Sequence, residues 1–109
     1  PMKCPKCRDH DLAATQVDEV TVDRCPACAG LWFDARELPR VLRLGAAAVR
    51  PLHGGRADVA RDERAGACPR DGARLTRMHS ASHPDAVVET CLECQGIWLD
   101  GGEFDALRR

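Results

Sequence analysis

Residues 25–37 read CPACAGLWFDARE, and residues 91–103 read CLECQGIWLDGGE. The two stretches share a Cys-x-x-Cys turn followed by Gly, Trp, Asp and Glu at matching positions. Each copy is preceded by another turn of the same type, CPKC at residues 4–7 and CPRD at residues 68–71. Paired Cys-x-x-Cys turns that are separated by a hairpin-length segment have the spacing of a zinc ribbon. The sequence therefore predicts two tandem zinc ribbons.

The repeat predicts a small metal-stabilised α+β fold in which each ribbon is a β-hairpin with two knuckles, followed by a short helix. The predicted domains are a first ribbon with its C-terminal helix at residues 1–50 and a second ribbon at residues 68–109. A linker at residues 51–67 joins them. Because units of about 40 residues rarely bury enough surface to fold alone, we expect zinc to stabilise each one. We also expect the repeats to pack together about a pseudo-twofold axis.

Alternating apolar and polar residues predict the two strands of each hairpin. The predicted strands cover residues 12–16, 20–24, 75–79 and 86–90. Asp34 followed three residues later by Glu37 resembles a capping box, and the same pattern recurs at residues 100–103. We therefore expect a helix from about residue 34 to 49, with a kink or a short first turn at Pro39, and a short one over residues 101–107.

The first ribbon carries a complete set of thiol ligands. Its four candidates are Cys4, Cys7, Cys25 and Cys28. Four thiolates close the coordination shell of zinc, which makes such a site structural rather than catalytic. Iron in a rubredoxin-like site, two disulfides or four free thiols are also compatible with these cysteines. The odd total of seven cysteines and the absence of a signal-like or membrane-spanning run favour a reducing, cytoplasmic setting.

The second ribbon has three cysteines, and an acid stands at the fourth position. Its candidates are Cys68, Asp71, Cys91 and Cys94. Aspartate binds zinc through oxygen, and we expect this Cys3Asp site to bind zinc more weakly than the first. His79 and His83 are rival ligands, but the hairpin tip lies about 16 Å from the knuckles. A metal-free ribbon and a water molecule as the fourth ligand are also compatible with the sequence. Two Zn²⁺ per chain follow from the Cys3Asp interpretation.

The sequence does not favour an enzyme. An open zinc position can activate water, but Asp71 and Glu93 are the only acids near the second site in sequence, and no histidine accompanies them. Trp32 and Trp98 are candidates for base stacking. Packing over the metal and the hairpin is more typical of a tryptophan beside a knuckle in a module with a small core.

The charge of the chain is unevenly distributed. The net charge is -1, and residues 40–66 carry six arginines against three acids, whereas residues 1–39 and residues 67–109 each carry seven acids against five basic residues. The candidate phosphate-binding residues are Arg40, Arg43, Arg50, Arg56, Arg61 and Arg64. Acidic ribbons do not favour broad nucleic-acid binding, since that depends on neutralising phosphates with Lys and Arg.

These motifs resemble the bacterial transcription factor zinc-finger family, ribbons similar to that of general transcription factor IIB. The first repeat matches at Cys4, Pro5, Cys7, Leu12, Cys25, Cys28, Gly30, Trp32, Asp34 and Glu37. The second matches at Cys68, Pro69, Leu75, Cys91, Cys94, Gly96, Trp98, Leu99, Asp100, Gly102 and Glu103. Phe33, Arg36 and Asp71 depart from the pattern, where the family has Leu, Gly and Cys. The resemblance implies a zinc-binding ribbon.

Three functions are compatible with these features. The first is a non-enzymatic, zinc-dependent interaction module that binds a protein partner, without a membrane or a small-molecule substrate. The second is a transcription-related ribbon that binds nucleic acid through the arginine-rich segment. The third is redox or zinc sensing through the weaker second site, where three thiolates share an imperfect shell.

Overall fold

The computed structural model describes residues 2–108, which form four short helices and six strands. The strands are β1 (Ala13–Val17), β2 (Val20–Arg24), β3 (Leu31–Phe33), β4 (Thr76–His79), β5 (Val87–Thr90) and β6 (Ile97–Leu99). The helices are α1 (Glu37–Leu42), α2 (Ala46–Val49), α3 (Val59–Asp62) and α4 (Glu103–Arg108), with a 3-10 turn at Arg50–Leu52 after α2. Among the described residues, no helix is long and apolar enough to cross a membrane.

The six strands form one antiparallel sheet in the order β1-β2-β3-β6-β5-β4. The repeats meet at its centre, where β3 pairs with β6 and Trp32 lies opposite Trp98. The flanking pairs, Leu31 with Leu99 and Phe33 with Ile97, make this register symmetric. The predicted fold class and the pseudo-twofold packing are therefore confirmed. Neither three-residue central strand was predicted.

The central strands bury side chains on both faces of the sheet, because successive residues of a strand point to opposite sides. On one face, residues such as Phe33 and Leu99 pack with apolar residues of the helices, including Val41 and Phe104. On the other face, Trp32 and Trp98 pack with the cysteines, and both indoles are fully buried. The tryptophans are thus core residues rather than exposed stacking platforms. A knuckle layer and a helix layer enclose the sheet.

Both predicted hairpins are present, but the first helix differs from its prediction. The predicted helix over residues 34–49 is divided into α1 and α2. The chain leaves helical geometry after α1, and Gly45 at the start of α2 is extended, with φ -68° and ψ 161°. Since α1 begins at Glu37, Pro39 lies in its first turn, where its missing N–H has no intrahelical partner to lose.

The aspartate side chains do not take the predicted capping role, although the Glu37 half of the capping box is present, since the Asp34 N–H donates to Glu37 Oε1 at 2.8 Å. No side chain caps α1, whose N-cap residue is Arg36 at a φ of 71°. The Asp34 carboxylate accepts a hydrogen bond from Trp32 Nε1 at 3.0 Å instead. Asp100 likewise accepts from Trp98 Nε1 at 3.0 Å. The neighbouring indole competes for the carboxylate more effectively than the free N–H groups of a short helix.

The segment at residues 51–67 packs against the ribbons in two places. Leu52 is fully buried in the helix-side core, and α3 lies next to the first knuckle, where the carbonyl oxygens of Arg61 and Asp62 accept from Lys6 Nζ at 3.2 and 3.0 Å. The domain boundaries at residues 50 and 68 remain a prediction. The predicted linker contains the short helix α3.

Replacing Gly30 or Gly96 with alanine is expected to destabilise the fold by about 3 kcal/mol, because overpacking a dense core forces backbone shifts. A Cβ at Gly30 would overlap the Trp98 ring, and one at Gly96 would overlap the Trp32 ring. Gly45→Ala is the matched control, since an added Cβ there meets nothing within 4 Å. Urea unfolding at fixed free zinc measures the stability of the Gly30 and Gly96 variants and of the Gly45→Ala control. A Gly96→Ala variant as stable as Gly45→Ala would contradict the packing described.

Candidate metal centres

Two clusters of metal-ligating side chains lie on the knuckle side of the sheet. They consist of Cys4, Cys7, Cys25 and Cys28, and of Cys68, Asp71, Cys91 and Cys94. Within each cluster, one ligand atom per residue lies within 4.8 Å of all the others. The eight residues singled out from the sequence are thus brought together in the two predicted sets of four.

The spacing within the clusters matches a tetrahedral zinc shell. Bond lengths of about 2.3 Å to sulfur and 2.0 Å to oxygen place two sulfurs about 3.8 Å apart, and a sulfur and an oxygen about 3.5 Å apart. Cys4 Sγ lies 3.9 Å from Cys28 Sγ, and Cys68 Sγ lies 3.6 Å from Cys94 Sγ. Cys91 Sγ lies 3.5 Å from Asp71 Oδ2. Both clusters fit a Zn²⁺ ion.

All four knuckles share one backbone geometry, and the knuckle that ends in Asp71 is no exception. The residue after the second ligand has a positive φ in each: 49° at Arg8, 64° at Ala29, 79° at Gly72 and 66° at Gln95. Its N–H donates to the carbonyl oxygen of the first ligand residue, at 3.1, 2.9, 2.9 and 2.8 Å respectively. Replacing cysteine by aspartate has therefore left the turn intact.

The Asp71 carboxylate is held in place for ligation. Its Oδ1 accepts a hydrogen bond from the Ala73 N–H at 2.9 Å, which lowers the pKa of Asp71. Its Oδ2 lies 3.5 Å from the Cys91 sulfur. In contrast, His79 Nδ1 contacts the Pro84 carbonyl oxygen at 2.9 Å in the hairpin tip. Neither His79 nor His83 belongs to the cluster. Ligation by Asp71 itself remains a prediction.

Each cluster contains a thiol that is harder to ionise than a free cysteine, although a hydrogen bond with Cys4 lowers the pKa of Cys28 to about 5. Burial, together with the neighbouring thiols, raises the pKa of Cys7 to about 11, and burial raises the pKa of Cys68 to about 12. A dication lowers thiol pKa values, and a coordinating thiol is deprotonated outright. When bound, zinc supplies the charge that lets these buried sulfurs lie together as thiolates.

Sequence reasoning missed the charged residues that support each first knuckle. Lys6, between Cys4 and Cys7, is fully buried and lies 2.7 Å from Glu89 Oε2 and 3.2 Å from Asp100 Oδ1. Arg70, between Cys68 and Asp71, donates to Asp34 Oδ1 and Oδ2 at 2.8 and 2.6 Å. The signal in the sequence was the basic residue that both Cys-Pro-x turns share.

Burial raises the pKa of Glu89 to about 7, although the Lys6 ammonium opposes this shift. On the other side, the Arg70 guanidinium lowers the pKa of Asp34, which is partly exposed. The Lys6–Asp100 and Arg70–Asp34 pairs are related by the pseudo-twofold axis but differ in burial. The carbonyl oxygens of Arg61 and Asp62 in α3 cover the Lys6 ammonium, whereas the Arg70 side chain is exposed.

Replacing Asp71 with cysteine is expected to raise the zinc affinity of the second site at least about tenfold, since a fourth thiolate is a better zinc ligand than a carboxylate. Competition with a chromophoric chelator measures this affinity. Asp85→Cys is the control, because it adds a thiol in the hairpin tip, outside the cluster. Equal chelator resistance in the Asp71→Cys variant and the parent chain would count against ligation at position 71.

The model of the transcription factor zinc-finger family matches the chain twice, over residues 3–44 and residues 67–109. Together the two matches cover most of the chain, and each contains one complete ligand cluster. No curated protein and no solved structure matches this chain significantly.

Proposed function

The chain belongs to the transcription factor zinc-finger family, and from this we propose that it is a non-enzymatic module that binds a protein partner. Two structural zinc ions, held by the eight residues of the two clusters, stabilise the scaffold. The observation that carries the choice of a protein partner is the arrangement of the arginines in residues 40–64. Two of them, Arg61 and Arg64, donate hydrogen bonds within the protein, and Arg40 and Arg43 lie beside acids.

Several of these arginines make internal contacts. Arg61 donates to the Asp62 carboxylate at 3.1 Å and to the Arg56 carbonyl oxygen at 2.7 Å. Arg64 donates to the Lys6 carbonyl oxygen at 3.2 Å. Arg40 and Arg43 line a cavity together with acids at the β1–β2 turn, Asp18 and Glu19. Nucleic-acid binding usually requires arginines that are free to neutralise phosphates.

Exposed apolar side chains on ordered elements are better suited to a protein surface. Leu92, in the second knuckle of the second ribbon, is 71% exposed. Met78, on the edge strand β4, is 48% exposed, and Val59 on α3 is 71% exposed. A few well-packed residues near the centre of an interface contribute most of the binding energy in many complexes. Leu92 is the first candidate contact, because backbone hydrogen bonds from Cys91 to Gly96 and from Gln95 to Cys91 fix the knuckle that carries it.

Affinity capture from a bacterial lysate, with and without nuclease, tests the proposal. The bait is the zinc-loaded chain, and the matched variants are Leu92→Ser and Arg50→Gln. We expect a defined protein that survives nuclease and is retained by Arg50→Gln but lost with Leu92→Ser. Partners that disappear with nuclease would contradict the proposal, as would steeply salt-dependent binding of oligonucleotides. Either result would favour nucleic acid as the ligand.

Sensing through the second site is a further candidate, and the exposure of its ligands favours it. Each cluster has one partly exposed cysteine, Cys7 or Cys94, but only the second cluster has a fully exposed member, Asp71. Exposed thiolates in an imperfect shell are the ones that mild oxidants reach first. Reversible loss of zinc under mild oxidant, with oxidation that begins at the cysteines of the second site, is the expected signature. Oxidation that begins at the first-site cysteines would contradict it.

A further inference from the structure

Each metal cluster is contacted by a short segment of the other repeat. These Trp-x-Asp segments are residues 32–34 in the first repeat and residues 98–100 in the second. Asp34 accepts two hydrogen bonds from Arg70, which lies inside the first knuckle of the second cluster. The Trp32 ring packs against Gly96, two residues after Cys94 in the other knuckle of that cluster. One segment of the first repeat thus holds both knuckles of the second cluster.

The arrangement is reciprocal. Asp100 lies 3.2 Å from Lys6 Nζ, inside the first knuckle of the first cluster. The Trp98 ring packs against Gly30, two residues after Cys28. Within each segment, the indole Nε1 donates to the aspartate at 3.0 Å, which joins the two contacts into one unit. The second Trp-x-Asp segment therefore holds both knuckles of the first cluster.

Each segment also depends on its own cluster for its position. Strand β3 begins three residues after Cys28, and the Cys25 N–H donates to the Gly30 carbonyl oxygen at 2.9 Å. The same bond links Cys91 to Gly96 before β6. Metal at one cluster orders the knuckle from which its segment emerges. That segment in turn orders the two knuckles of the other cluster.

We propose that the two zinc sites are positively coupled, so that metal at either site raises the affinity of the other by about tenfold, within the usual range for coupled sites. The Trp-x-Asp segments transmit this coupling, and Arg70 is a positioning residue for it rather than a ligand. The proposal concerns the loading of the two sites, and it holds whichever partner the module binds. Two ribbons that fold independently on either side of a linker would show no such coupling.

Cobalt titration of the full chain tests this directly. A four-thiolate cobalt site and a three-thiolate, one-oxygen cobalt site differ in their visible spectra, so the occupancy of each is measured separately. The quantity of interest is the cobalt affinity of the first site, with the second site either intact or disabled by Cys94→Ser. We expect the cobalt affinity of the first site to be about tenfold lower in the Cys94→Ser variant than in the parent chain.

A second variant separates coupling from general loss of structure. Arg70→Gln leaves every ligand in place. The ratio of interest is the first-site cobalt affinity with the second site intact, divided by that affinity with the second site disabled. Arg70→Gln should reduce this ratio from about tenfold to about threefold or less, as in a double-mutant cycle. Arg74→Gln is the matched control, because Arg74 is also exposed and its side chain makes no hydrogen bond or ion pair among the described residues. It should leave the ratio unchanged.

A ratio within twofold of one in the parent chain would overturn the proposal. So would a ratio that Arg70→Gln leaves at tenfold.

Discussion

Removing zinc with a strong chelator is expected to unfold the whole six-stranded sheet in a single transition. Structural zinc contributes on the order of 10 kcal/mol in small zinc modules, which is comparable to the entire stability of a domain of this size. The knuckle-side core consists largely of cysteines packed around Trp32 and Trp98. Removing zinc removes the ions that hold these cysteines together. Because β3 and β6 pair across the repeats, loss of one half removes the partner strand of the other.

Circular dichroism and tryptophan fluorescence follow this transition, since both indoles are fully buried in the folded chain. The control is the same chelator saturated with zinc, which should leave both signals unchanged. Zinc added afterwards should restore them. Retention of the sheet signal after both ions are lost would contradict a metal-dependent core. Two separate transitions would contradict the shared sheet as the cooperative unit.

The second large effect is expected from Lys6→Met, which should destabilise the zinc-loaded chain by about 3–5 kcal/mol. The Lys6 side chain is fully buried, and its carboxylate partners Glu89 and Asp100 are 1% and 6% exposed. Removing the ammonium leaves two buried acids without their cation, and that cost exceeds the worth of the ion pair itself. Glu89 Oε1 already has no hydrogen-bond partner among residues 2–108, so little remains to stabilise its charge.

Urea unfolding at fixed free zinc measures this effect, and Lys3→Met is the matched control. Lys3 also forms an ion pair, with Asp11 at 2.6 Å, but both side chains of that pair are about half exposed. Breaking such a surface pair costs less than about 1 kcal/mol. The double variant Lys6→Met/Glu89→Gln should recover part of the lost stability. Similar losses of unfolding free energy in the Lys6→Met and Lys3→Met variants would contradict the prediction that burial sets the cost of breaking an ion pair.

The hairpins were predictable because their signal is local. Val20 and Val22 alternate with polar residues, and the structure places both valines in the core. The central strands carry no such signal. Residues 31–33 and 97–99 are too short to alternate, and both strands are buried or nearly so on each face. Each one pairs with a strand of the other repeat more than sixty residues away, which no local pattern reports.

The ligand clusters were likewise predictable from cysteine spacing, whereas their supporting residues were not. Asp34 and Asp100 precede helices, and their spacing from Glu37 and Glu103 favours a capping role. Their actual partners are indoles two residues away and cations of the opposite repeat. Because these contacts cross the pseudo-twofold axis, they become apparent only when the two repeats are placed together.

Native mass spectrometry of the folded chain, purified without chelator, tests most directly whether both clusters hold zinc. We expect one dominant species with two zinc ions per chain, and a Cys4→Ser/Cys28→Ser variant that no longer forms this species. A folded parent chain that carries a single zinc ion would contradict a two-zinc fold, because the Cys68, Asp71, Cys91 and Cys94 cluster would then stand without metal.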